Sequence, residues 1–367
     1  MKDKFKKAFD FILKTTNGMA YGLFATLIIG TIIGAIGRLF GYGDNSFCKF
    51  MAETLNDGAK VLQNLTGAGI GIGIALSLKF DTLKTIALAI VGEIAAYFSL
   101  STAFVDSGTI TNGFKPGDPL TIYLVVIVVA LLITLILKKK TPVDIILIPL
   151  VAVIFGMICA LLIRYPIIYV TYAIQWLIGN AAKAQPFIMG IVIAVLMGMA
   201  LTAPISSAAI AAIIFTADGG IASGSGLAIA SGAAIVGCCT QMVGFAIQSR
   251  KDNNLGMVIS VGIGTSMLQF KNILKKPIIW LPTIIASAIL GPIATTLLHV
   301  ECIGADAGMG PAGLVGIIGT ITSMGADRWQ TWVTVFGLEL ILPAVLVFAI
   351  DLLFRKFKLI KDGDLKI

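Results

Sequence analysis

An apolar run long enough to cross a bilayer, GMALTAPISSAAIAAIIF from Gly198 to Phe215, is broken in its middle by Thr202, Pro204, Ser206 and Ser207. Proline lacks a backbone donor and its ring collides with the preceding turn, so a continuous helix must kink or unwind there. In hydrocarbon the freed carbonyls need protein, hydroxyls or a wet cavity as partners. Two readings of the break stand. It is a structural kink whose Ser and Thr bond back to the preceding turn, or a binding site of the hydroxyl-rich kind that transporters build near the midplane. Other polar, Gly-rich interruptions at hydrophobic depth favour the second, a protein that binds and moves a small polar solute across a membrane.

Composition points the same way. The chain is 57% hydrophobic and 13% charged, with a mean hydropathy of +0.98, which places it among polytopic membrane proteins. The net charge of +8 does not argue for nucleic acid. Its basic residues sit between apolar runs and at the two ends, the positive-inside pattern. The cysteines (Cys48, Cys159, Cys238, Cys239 and Cys302) form no CxxC pair, and His299 is the only histidine. No metal site, cofactor or self-contained nucleophile–base pair is expected.

Along the chain, Lys-rich residues 1–16 read as a cytoplasmic amphipathic segment lying on an anionic leaflet. Spans follow at 20–40, 61–78, 85–103 and 120–137, with a polar loop between the first two. Four glycines at every second position (Gly67, Gly69, Gly71 and Gly73) imply either close packing or an unwound segment. Glu93 lies deep in the third span. An ionisable residue there is a functional-site candidate by default; the alternative is a carboxyl bonded to a neighbouring helix. Residues 105–119 read as an external loop, and Lys138, Lys139 and Lys140 as a cytoplasmic marker. Further spans are expected at 143–163, 165–182, 187–215, 226–248, 277–298 and 329–354, with Gln241 inside the eighth. Residues 255–270 and 308–324 are short and Gly-broken, and read as re-entrant hairpins. KKTPVDIILIPLVAVIFG (139–156) and KKPIIWLPTIIASAILG (275–291) share a basic pair, two prolines and a glycine, in the manner of an internal repeat. The resulting expectation is an all-α polytopic membrane protein. It has about ten transmembrane helices, two re-entrant segments, one transport domain over 17–358 and a cytoplasmic tail over 359–367, with both termini inside.

Four ordered motifs carry a family resemblance: QPFIMGIVIAVLMGMALTAPISSAAI (185–210), CTQMVGFAIQS (239–249), GIGTSMLQFKNILKKPIIWLP (262–282) and AGMGPAGLVG (307–316). Together they resemble the enzyme IIC sugar permeases of the phosphoenolpyruvate phosphotransferase system, a class that includes a perfringolysin-regulator-like subgroup. The resemblance spans nearly the whole chain. It implies an enzyme IIC-like fold in a bacterial cytoplasmic membrane, a homodimer, a sugar-like solute, and separate IIA and IIB partners as phosphoryl donors. By position it implies that Thr202, Pro204, Ser206, Ser207, Gln241, Thr265, Ser266, Gln269 and Asn272 line the solute site, with Glu93 a candidate for the carboxylate role. Neutral amides and hydroxyls can exchange hydrogen bonds with sugar hydroxyls without placing charge in the bilayer. Two other readings remain open. One is a membrane sensor or regulator that kept the fold without transport. The other is a secondary transporter with Glu93 as its proton-coupling group.

Overall fold

The computed structural model describes residues 2–98, 118–137, 141–215, 222–302 and 304–367. The Lys138–Lys140 marker, nearly all of the 105–119 loop and much of the 216–225 link lie outside the described residues. Every regular element among the described residues is helical. Among the described residues, six helices are long and apolar enough to cross a membrane: Lys7–Phe40, Pro119–Ile136, Asp144–Ile163, Gly226–Ser249, Pro277–Thr296 and Trp329–Lys356. The chain is thus an all-helical, multi-pass membrane protein. Shorter apolar helices include Thr66–Ser77, Pro186–Thr202, Leu255–Gly264 and Ala312–Met324. Two compact units divide it, Met1–Val170 and Thr171–Ile367.

In the first unit, the amphipathic segment runs without a break into the first span through helix Lys2–Leu23, a π-helical turn at Phe24–Ile28 and helix Ile29–Phe40. The region expected as a polar loop is instead helix Ser46–Asn64, started by Asn45, whose side chain accepts the Cys48 N–H. Its polar composition hides an amphipathic period, with Phe47, Phe50, Met51 and Leu55 recurring at helical spacing. The alternating glycines resolve into close packing. Helix Thr66–Ser77 lies between two neighbours, and its residues four apart share a face. A Cβ on Gly69 or Gly73 would press on helix Lys2–Leu23 at Gly22 or Gly18; one on Gly67 or Gly71 would collide with Gly92 or Leu88 of helix Thr82–Phe98. One alternating run therefore supplies two opposed small-xxx-small stripes.

Gly71→Val is accordingly expected to lower stability by about 1–3 kcal/mol through overpacking. Gly58→Ala, where a Cβ meets nothing within 4 Å, should raise it by about 0.4–1 kcal/mol. Thermal unfolding of the two variants in one detergent separates the effects.

The stretches expected as spans at 143–163 and 165–182 are joined in one continuous helix, Asp144–Ala181, which carries Pro149 and Pro166 inside it and of which Asp144–Ile163 is long and apolar enough to cross a membrane. In the second unit the organising element is helix Gly226–Ser249, begun by Ser225, which accepts the Ala228 N–H. Nearly all of this helix is buried. Small residues let its neighbours approach: a Cβ on Gly237 would strike the Ala194 backbone, and one on Gly198 would stand 2.7 Å from the Gln241 side chain. Gly198 thereby makes room for Gln241 beside helix Pro186–Thr202.

Candidate functional site

The run containing Pro204 is broken as its chemistry requires. Helix Pro186–Thr202 stops with Ala203 extended, and helix Ser207–Ile214 restarts after Ser206, whose side chain accepts the Ala209 N–H. Ser207 Oγ donates to the Gly308 carbonyl at 2.7 Å, tying the second half-helix to the 304–308 turn. The first half-helix ends on Thr202, which is completely buried.

Thr202 meets two other residues that the sequence singled out. Its Oγ1 lies 2.8 Å from Ser266 Oγ and 3.4 Å from Gln241 Oε1. Ser266 stands there because Thr265 turns the chain: Thr265 accepts the Met267 N–H and opens the 3-10 turn Ser266–Gln269. Gln241 Oε1 also accepts from Trp280 Nε1 at 3.0 Å and lies 2.9 Å from Thr283 Oγ1. An indole N–H can only donate, so the amide atom facing Trp280 must be the oxygen. That fixes the amide and turns Gln241 Nε2 away, buried and without a protein partner. An unsatisfied buried donor costs about 1–3 kcal/mol, which makes this nitrogen a place where a hydroxyl-bearing molecule is favoured.

The remaining candidates have other protein partners. Gln269 Nε2 donates to the Leu365 carbonyl at 2.9 Å, and Asn272 Nδ2 to Gln269 Oε1 at 2.8 Å and the Lys366 carbonyl at 3.1 Å. Both hold residues at the end of the chain. Glu93 belongs to the first unit, where its Oε2 accepts the Ala68 N–H at 2.9 Å. There the carboxylate serves an otherwise open donor in the first turn of helix Thr66–Ser77.

Sequence reasoning passed over Trp280, Thr283 and Glu339. Glu339 is fully buried in the π-helical stretch Val333–Ile341; π-turns inside helices are frequent at functional positions. Its Oε1 accepts from Thr320 Oγ1 at 2.6 Å, and its Oε2 has no protein partner. The rule that flagged Glu93, an acidic residue inside an apolar run, would have found it. Elsewhere in this unit a cavity of about 780 Å³ is bordered by His299, Glu301, Arg328 and Trp329. None of the candidate solute-site residues lines it.

A multi-pass helical bundle with a broken helix and a buried amide among hydroxyls defines a permease-like membrane protein. The chain belongs to the phosphotransferase system EIIC family, whose model matches residues 13–367. No protein of curated function matches it.

Proposed function

We propose that this protein is the membrane permease for a sugar or a similar polyhydroxylated solute, held between the broken helix and helix Gly226–Ser249. The observation that carries the reading is the Gln241 amide. Its oxygen is pinned by Trp280 while its buried nitrogen lacks a protein partner, beside the Thr202 and Ser266 hydroxyls. Thr202, Gln241 and Ser266 contact the solute in this reading; Thr265, Pro204, Ser206 and Ser207 frame the break. One transport domain over 17–358 comprises about ten spans, with 255–270 and 308–324 as re-entrant segments. The short apolar helices at Leu255–Gly264 and Ala312–Met324 support that topology. The protein is a homodimer in a bacterial cytoplasmic membrane, with both termini inside, and a separate IIB protein supplies the phosphoryl group.

A second reading, cation- or proton-coupled solute transport, draws on Glu339, a buried carboxylate with one oxygen unpartnered. Sugar uptake into proteoliposomes separates the two readings. Uptake that requires phosphorylated IIB and yields sugar phosphate supports the first. Uptake that follows an imposed ion gradient, needs no IIB and is lost in Glu339→Gln supports the second. No uptake of any sugar under either condition contradicts both.

A further inference from the structure

The end of the chain is held in the second unit as a bound peptide would be. Asp252 accepts two alternate backbone N–H groups, from Gly363 at 2.9 Å and Leu365 at 3.1 Å. Asn253 accepts the Ile367 N–H at 3.0 Å and donates to the Leu365 carbonyl at 2.7 Å. Gln269 and Asn272 bind the carbonyls of Leu365 and Lys366 from the other side. Six main-chain bonds come from four side chains, and they hold a turned segment: the Asp364 and Lys366 N–H groups donate to the Lys361 and Gly363 carbonyls, with Gly363 at a positive φ of 90°. Two side chains of the segment are read as well. Leu365 is wholly buried, and Asp364 pairs with Lys276 at 2.5 Å. Burial opposes charge on Asp364, but the Lys276 hydrogen bond and the Lys361 N–H outweigh it and hold its carboxyl below the ordinary value. Main-chain bonds for affinity and side-chain pockets for specificity are how folded proteins capture peptides.

The cradle also touches the candidate solute site. The 3-10 turn Ser266–Gln269 meets Thr202 through its first residue and the chain end through its last. At 3.0 residues per turn, the four-residue turn brings the two contacts within little more than one turn of backbone.

We propose that Asp252, Asn253, Gln269, Asn272 and Lys276 form a peptide-binding site, occupied in cis by residues 361–367, whose occupancy sets the position of the Ser266–Gln269 turn. Its ligand is a short peptide with an acidic residue followed directly by a large aliphatic one. Recognition of the peptide stands apart from the permease reading; only an effect on solute binding rests on it.

The test uses full-length protein and no solute. Leu365→Asp places a charge in the buried anchor position and releases the chain's own end. That variant should bind a labelled peptide of sequence KDGDLKI by fluorescence anisotropy, whereas the wild-type protein, already occupied, should not. A peptide carrying Asp364→Lys should bind the variant at least ~10-fold more weakly, and adding Lys276→Asp to the protein should restore it. Hydrogen exchange provides the second readout: Leu365→Asp should speed amide exchange across 255–276, and added peptide should slow it again. Failure of the variant to bind the peptide, equal binding of a scrambled peptide, or unchanged exchange over 255–276 would each overturn the proposal.

Discussion

Replacing Asp351 with alanine is expected to lower the unfolding free energy by about 3–5 kcal/mol. Asp351 is fully buried between Arg250, at 3.1 Å, and Arg355, at 3.0 Å. Arg355 is itself only 8% exposed and also reaches the Gln248 carbonyl at 3.1 Å, so this network fastens the end of helix Gly226–Ser249 to helix Leu342–Lys356. Removing the anion leaves the Arg250 guanidinium without its carboxylate, while Arg355 keeps Asp362 at 2.8 Å and Asp252 at 3.9 Å; the cost of one uncompensated, largely buried charge exceeds that of a lost surface pair. The control is Asp57→Ala. Asp57 pairs with Lys60 at 3.0 Å, but both side chains are at least 70% exposed, so the change should cost no more than about 0.5 kcal/mol. Equal losses in the two variants, measured by denaturant unfolding in detergent, would show that the Asp351 network does not hold these helices together.

The second large effect concerns function more than stability. Gln241→Leu removes the acceptor that serves Trp280 and Thr283, leaving the Trp280 donor unsatisfied at about 1–3 kcal/mol. It also removes the unpartnered Nε2, a penalty of similar size and opposite sign. Thr283 keeps its bond to the Trp280 carbonyl at 2.9 Å. The two penalties largely cancel, so unfolding should change by only about 1 kcal/mol. Solute affinity has no such offset. If Gln241 contacts the solute as proposed, loss of its amide is expected to cost about 2 kcal/mol, a weakening of ~30-fold.

What could be read from the sequence was local chemistry. Pro204 lacks a donor wherever it sits, so the interruption between Thr202 and Ser207 follows from its neighbours alone. The alternating glycines could be read as close packing, but their service to two opposite faces required knowing which helices lie on either side. The helix at Ser46–Asn64 was obscured because polar residues and an amphipathic period coexist there, and composition outweighed spacing. Pro166 sits inside Asp144–Ala181, since in a membrane helix neighbouring groups can satisfy the carbonyl that proline frees. The family resemblance marked Gln269 and Asn272 as solute-site candidates, but their partners, Leu365 and Lys366, lie over 90 residues away in sequence. No local pattern encodes that pairing. The pinning of Gln241 by Trp280 is likewise a tertiary fact, and it alone distinguishes an amide with a free donor from one fully engaged.

The most direct measurement is a thermal-shift titration of sugars, sugar acids and polyols, made in parallel on the wild-type protein and Gln241→Leu. A ligand that binds only the folded state raises its melting temperature with concentration. The account predicts that at least one polyhydroxylated solute stabilises the wild type, and that its apparent affinity falls by ~30-fold in a well-folded Gln241→Leu. A solute that binds both proteins equally, or a panel that stabilises neither, would contradict it.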